Sequence, residues 1–191
     1  MKPTPAMLAL ALSLAPPALG AEAVLEEVIV TAGFRDTPLL DQPSSTTVLT
    51  GEDIRQRSAQ HLEDIVNVAP NVNFASGASR ARFFQIRGIG ERSQFQEPLN
   101  PSIGFIVDGI DFSGLGTAAT LFDARQVEIL RGPQGTYHGA NALAGLINIR
   151  TGAPQDTPGL RMEASAADYG TWSAGIVGTG PLVDRLSLIH I

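Results

Sequence analysis

Short runs of β-branched, aliphatic and aromatic residues, several of them closed by a glycine-containing turn, recur along the chain and constrain its fold more than any other feature. The clearest runs are Phe83 to Ile86, Ile103 to Val107, Val127 to Leu130 and Leu146 to Ile149. Four or five such residues suit a strand and are too few for a buried helix. The sequence therefore predicts a domain built on short strands.

Two helical segments interrupt these strands. Thr50 follows a short strand at Thr46 to Leu49 and is a good helix N-cap, with acidic residues in the next turn, where the helix dipole favours them. A second helix is predicted from Ser58 until Pro70 ends it. Its apolar face consists of Leu62, Ile65, Val66 and Ala69. The mixture predicts an α+β domain with a small mixed β-sheet and short helices.

The first 20 residues have the features of a signal peptide. Lys2 precedes an apolar run from Met7 to Leu14, and small residues surround Leu19. A membrane anchor is the alternative, but the run is far shorter than the roughly 20 residues that a spanning helix needs. We therefore expect export. The chain has no cysteine, so the exported protein does not depend on disulfides.

The net charge argues against a nucleic-acid partner, and the sequence pattern after Thr151 favours β-strands. The formal net charge is -6, whereas nucleic-acid-binding domains carry a basic footprint, so no nucleic-acid partner is expected. From about Thr151 the sequence alternates between apolar and polar residues in two segments, Leu160 to Ala166 and Thr171 to Gly178, with turns predicted at 168–170 and at Gly180-Pro181. Such alternation is typical of outer-membrane barrel strands.

Four stretches together carry a family resemblance: LEEVIVTA, FQIRGIG, IGFIVDGI and VEILRGPQGTYHGANALAGLINI. In this order they resemble the TonB-dependent outer-membrane receptors. The resemblance implies a plug domain over residues 46–150, followed at 151–191 by the first strands of a transmembrane antiparallel β-barrel. It also implies an outer-membrane location, with the plug facing the barrel lumen and the periplasm. The family imports scarce nutrients, most often ferric siderophores, so iron would enter only within a transported chelate and no cofactor is expected.

The resemblance places a TonB box and a flexible tether at residues 21–45. The box residues, which would bind the periplasmic domain of TonB, are Glu26, Glu27, Val28, Ile29, Val30, Thr31 and Ala32. Strand addition requires an extended segment of high β-propensity with free backbone groups, and the β-branched residues here fit that requirement. The alternative is that Val28 to Thr31 forms the first strand of the domain's own sheet.

The resemblance also assigns Arg87 and Arg131, each at the end of a strand, to ion pairs between plug and barrel. An unpaired buried guanidinium is costly, so an acceptor is expected. Glu128, Asp108 and Asp111 are the candidates within the chain. The alternative is that both arginines are solvated residues at loop edges.

Ligand contacts are expected in the plug loops at 75–82 and 91–102. The candidate residues are Arg80, Arg82, Arg92, Gln94 and Phe95, because arginines and an aromatic ring suit an anionic, planar iron chelate. The family usually shows an aliphatic residue and then tyrosine where this chain has Tyr137 and His138. We interpret His138 as structural, since one histidine without nearby ligands makes no metal site.

Two other classes of protein are less consistent with the sequence. An exported enzyme lacks support, because neither G-x-S-x-G nor H-E-x-x-H occurs and the G-x-G-x-x-A match at 114–119 does not follow directly on a strand. A soluble periplasmic binding or adaptor domain made of the plug alone would not need the alternating segments after Thr151. We expect the 191 residues to be part of a longer transporter without a signalling domain, and LSLIHI at 186–191 resembles a non-native tail.

Overall fold

The computed structural model of the chain describes residues 27–33, 35–76, 81–92, 100–114, 120–183 and 186–190. Its α-helices have four to six residues, and its strands have between two and 13 residues. In chain order the elements are β1 (Ile29–Val30), β2 (Thr37–Pro38), β3 (Ser45–Thr50), α1 (Gly51–Gln56), α2 (Glu63–Val66), β4 (Val72–Ser76), β5 (Ala81–Ile86), β6 (Ile103–Val107), β7 (Ile110–Asp111), β8 (Ala124–Arg131), α3 (Gly135–His138), β9 (Gly145–Thr151), β10 (Gly159–Ala167), β11 (Thr171–Val183) and β12 (Leu186–His190). None of the helices in these ranges is long and apolar enough to cross a membrane.

A five-stranded sheet in the order β3-β8-β9-β6-β7 forms the centre of the molecule. All neighbouring pairs are antiparallel except β6 and β9, which run parallel from Ile103 beside Gly145 to Val107 beside Ile149. Most residues of β6 and β9 and the second half of β8 are buried, as their largely aliphatic runs predict. This is the small mixed sheet that the sequence predicts.

Helices α1 and α2 cover one side of this sheet. Helix α1 begins with a complete capping box, in which Thr50 Oγ1 accepts from Asp53 N (3.2 Å) and Asp53 Oδ2 accepts from Thr50 N (2.9 Å). Thr50 Oγ1 also donates to Asp53 Oδ2 (2.7 Å), and this bond together with the one from Thr50 N lowers the pKa of Asp53 below its usual value, because both stabilise the charged carboxylate. The N-cap prediction at Thr50 is confirmed.

The second predicted helix is shorter than expected. Its four apolar residues are buried in the main core, but only Glu63–Val66 is helical. Ser58 has a positive φ of 51° and Ala59 N bonds Ile54 O, so the chain turns there instead of starting a helix. The apolar spacing therefore identified the buried face correctly and the helix start wrongly.

The last three strands form a separate antiparallel sheet in the order β10-β11-β12. The predicted segments at 160–166 and 171–178 lie in β10 and β11, but the turn predicted at Gly180-Pro181 is wrong, since β11 continues to Val183. Pro181 lies at a register shift in the pairing with β12. A bulge tolerates proline because its missing N–H is not needed there. The sequence also predicts a short helix from Leu115 to Phe122, but residues 115–119 lie outside the described residues.

Candidate functional site

The amino-terminal arm, residues 27–32, lies against the central sheet. Its strand β1 pairs with β2 in a two-stranded sheet of its own, and Leu39 N donates to Val28 O (2.9 Å). Val30 and Ala32 are buried in an apolar cluster with residues of β6, β8 and β9. The prediction that the arm has free backbone groups is therefore wrong for this structure. The alternative, that Val28 to Thr31 is the first strand of the domain's own sheet, is also wrong, since the arm does not join the five-stranded sheet.

Glu128 on β8 is the residue that holds the arm most extensively. Its side chain is fully buried, and its two carboxylate oxygens accept hydrogen bonds from five donors. The donors are Thr31 N and Thr31 Oγ1 (both 2.9 Å), Ala32 N (2.8 Å), Gln126 Nε2 (2.8 Å) and Asn148 Nδ2 (3.1 Å). Hydrogen bonds to a carboxylate are stronger than neutral ones, and a buried carboxylate without them would be very costly. Glu128 therefore couples the arm to the middle of the sheet.

Two further side chains bind the arm's backbone carbonyls. Gln126 Nε2 donates to Ile29 O (2.7 Å) as well as to Glu128, because Gln126 and Glu128 lie two residues apart on the same face of β8. His138 Nε2, at the end of α3, lies 2.8 Å from Ala32 O and must be the donor, since a carbonyl oxygen only accepts. In this structure His138 has a definite contact with the arm, which the sequence did not indicate.

The sequence identified Glu128 but assigned it to the arginines. The segment Val127-Glu128-Ile129 places a carboxylate within a buried strand, and this pattern alone requires several nearby donors. It does not tell which donors they are. Gln126 and Asn148 were not identified as site residues because each also suits an ordinary strand position.

Arg131 is placed beside Arg87 and away from Glu128. Arg131 Nη1 donates to Pro70 O (3.0 Å) and its Nε to Ser45 O (3.4 Å). Burial lowers the pKa of Arg131 below its usual value, and the positive charge of Arg87 lowers it further. The assignment of Glu128 as an arginine acceptor is thus wrong in this structure.

The other two candidate acceptors are also used elsewhere. Asp108 accepts from Thr151 N (3.0 Å) and Thr151 Oγ1 (2.6 Å), where the central sheet ends. Asp111 accepts from Ser113 N (2.8 Å) and Asn141 Nδ2 (3.0 Å). Burial opposes ionisation of Asp111, but hydrogen bonds from the side chain and backbone of Ser113 and from Asn141 outweigh it, so the pKa of Asp111 lies below its usual value. The role of the two arginines in ion pairs with a barrel stays a prediction.

The predicted ligand residues are only partly described. Arg80, Gln94 and Phe95 lie outside the described residues, and Arg82 is described only as a backbone position in β5. Arg92 is exposed. Among the described residues no group of three or more His, Asp or Glu side chains is placed to hold a metal ion. Glu26 of the predicted box is also outside the described residues, which begin at Glu27.

The hairpin of β10 and β11 contacts the domain of the central sheet with one face, while its other face is exposed in the described part of the chain. Arg161 Nη2 donates to Asp123 Oδ1 (2.6 Å), and its guanidinium lies 5.7 Å from the centre of the Phe122 ring. Gln60 Nε2 donates to Ser173 Oγ (3.3 Å) on the same face. The opposite face is apolar and exposed, with Leu160, Met162, Trp172 and Ile176 all more than half accessible.

Comparison with known proteins agrees with this architecture. The model of the TonB-dependent receptor plug domain matches residues 38–146, more than half of the chain. The pesticin receptor of Yersinia pestis is 30% identical over 143 residues, and the vitamin B12 transporter BtuB of Vibrio vulnificus is 27% identical over 136 residues. These alignments cover 74% and 70% of this chain but only 21% and 22% of the relatives.

A solved structure gives the same result. The ferric yersiniabactin uptake receptor FyuA from Yersinia pestis superposes with a TM-score of 0.65 at 27% sequence identity, over 76% of this chain and 24% of FyuA. The chain belongs to the TonB-dependent receptors and contains their plug domain. Its relatives are receptors and transporters, not enzymes. The chain spans about a fifth of the length of the curated relatives that it matches.

Proposed function

We propose that this chain forms the plug and the first barrel strands of an outer-membrane receptor whose arm is captured by the periplasmic domain of TonB. The main observation in support is how the arm is attached. Among the described residues, strand β1 has backbone pairing only with the two-residue β2, and side chains connect it to the five-stranded sheet. The arm is therefore able to leave without breaking a single ladder of that sheet. A capture site for strand addition needs this property.

The transported ligand in this proposal is a ferric siderophore. Support comes from the similarity to FyuA, which is named as a ferric yersiniabactin receptor, and from the exposed Arg92 in the 91–102 loop. An arginine suits the anionic groups of an iron chelate. The relative named as a vitamin B12 transporter shows that the plug family also serves other nutrients. The ligand class is thus a narrower proposal than energised uptake itself.

The outer-membrane location is supported by the two faces of the β10–β11 hairpin. Arg161, Glu163 and Ser165 alternate with Leu160, Met162 and Ala164, and the first set lies on the plug side. In a barrel, lipid-facing and lumen-facing side chains alternate in this way. Trp172, 77% exposed at the end of the apolar face, suits the membrane interface. We propose outer-membrane lipid as the partner of that face.

Retention of the purified chain on immobilised TonB periplasmic domain tests the coupling. The wild-type chain should be retained, whereas Ile29→Pro should be retained much less, because proline removes a backbone donor from the edge of the arm on which Ile29 O and Thr31 N lie. Ala153→Pro, at an exposed residue between β9 and β10, is the matched control and should behave as wild type. Equal retention of wild type and Ile29→Pro would contradict strand addition at this segment.

A further inference from the structure

Both edges of the docked arm are occupied. In a strand, the N–H and C=O of one residue point to the same edge, and those of the next residue point to the opposite edge. Val28 O faces β2, where it accepts from Leu39 N. Ile29 O and Thr31 N therefore face the other edge, and this is the edge that Gln126 and Glu128 occupy.

The two side chains on β8 supply what a neighbouring strand would supply. Gln126 Nε2 is the donor for Ile29 O at 2.7 Å, and Glu128 Oε1 is the acceptor for Thr31 N at 2.9 Å. Gln126 and Glu128 are two residues apart, as are Ile29 and Thr31, so one donor and one acceptor match the repeat of the strand edge. We call this pair of side chains the surrogate strand.

We propose that the surrogate strand, Gln126 and Glu128, competes with the TonB strand for the same edge of the arm and so sets how much of the arm is available for capture. This inference rests on the proposed function and adds a residue-level control to it. Gln126 and Glu128 do not contact TonB in this proposal; they affect its binding only by holding the arm in place. A TonB strand cannot pair with Ile29 and Thr31 on this edge until their hydrogen bonds to Gln126 and Glu128 are broken.

Burial makes release of the arm unfavourable. Three of the five donors to Glu128 come from the arm, while only Gln126 and Asn148 belong to the sheet. When the arm undocks, the fully buried carboxylate of Glu128 keeps only two of its five protein donors until water reaches it. The docked state is therefore favoured, and the apparent affinity for TonB is reduced in proportion to the released fraction.

Glu128→Gln is the direct test, because the shape is kept while one acceptor oxygen becomes an NH₂ donor facing other donors. In the full chain we expect the amides of Thr31 and Ala32 to exchange with solvent about 10- to 100-fold faster, with a similar gain in affinity for the TonB periplasmic domain. Asp123→Asn is the matched control, since it removes a buried carboxylate that holds Arg161 and not the arm. Its arm amides should exchange as in wild type.

Gln126→Ala provides a second variant in case Glu128→Gln does not fold. It removes the donor to Ile29 O from a half-buried position, and the affinity for TonB should rise in the same direction. If Glu128→Gln and Gln126→Ala fold but change neither exchange nor affinity, or lower the affinity, the inference is overturned. If exchange accelerates in both variants while TonB binds no version of the chain, the docking role of the pair is supported and the proposed coupling to TonB fails.

Discussion

Gly145 offers a quantitative test of how tightly the central sheet is packed. It lies at the start of β9 and pairs with Arg131 on one side and Ile103 on the other. A Cβ added there would come 2.5 Å from Leu130 O and 2.5 Å from Ile86 Cδ1. Ordinary van der Waals contact begins at 3.4 Å, so the deficit is about 0.9 Å. The carbonyl belongs to a paired strand and cannot move by that distance without disturbing the sheet.

Gly145→Ala should therefore lower the free energy of unfolding. Overpacking typically costs about 1 to 3 kcal/mol, and we expect about 3 kcal/mol at this site because a backbone atom is involved. Replacing glycine also lowers the entropy of the unfolded chain, which stabilises the folded state by about 0.5 kcal/mol. The free energy of unfolding should therefore fall by about 2.5 kcal/mol. For a plug of roughly 100 residues, this lowers the Tm by roughly 10 to 20 °C.

Thermal unfolding followed by circular dichroism measures this change, with Gly135→Ala as the matched control. Gly135 begins α3, and a Cβ there meets nothing within 4 Å. Alanine is the better helix former, so the control should be as stable as wild type or more stable by about 0.5 kcal/mol. The usual error of such scans is about 2 to 3 °C. A Tm for Gly145→Ala within that range of the control would refute the packing argument.

Three further changes should affect stability in defined ways. Thr50→Ala removes the capping box and should cost about 1 kcal/mol. The pKa of Asp53 is lowered in the folded state, so its ionised form contributes to the free energy of unfolding above the usual Asp pKa. That contribution is lost as the pH falls through the lowered pKa. In urea unfolding at several pH values, the stability of Thr50→Ala should therefore fall less steeply with acid than that of wild type. Arg161→Met leaves Asp123 buried without its cation and should cost about 3 kcal/mol in the same assay. Leu146→Ala, at a fully buried position, should cost about 3 kcal/mol in thermal unfolding.

The sequence was most informative where one local rule determines the structure. The run Ile103 to Val107 is a strand with the predicted bounds, and Asp108 and Gly109 both have positive φ, as a tight hairpin turn requires. Thr50 caps α1 because the cap depends on residues three positions apart. Boundaries failed where pairing with a neighbouring strand decides, as at Pro181, whose strand continues because β12 lies beside it.

The candidate site was less accessible to sequence analysis. The arm was recognised, but its docking depends on contacts between residues almost one hundred positions apart, such as Thr31 with Glu128. No local pattern encodes such a pairing. A buried glutamate signals that donors must be near, yet arginine was as reasonable a donor as a backbone amide until the topology placed β8 beside the arm.

The two occupied edges of the arm also bear on the behaviour of many copies together. An extended β-branched segment with exposed N–H and C=O groups is a template for pairing with any other open strand, including a second molecule of the same kind. Copies of the chain at high concentration would present such segments to one another. With β2 on one side and two side chains on the other, the segment offers no such template until it is released, so docking also protects the protein against self-association.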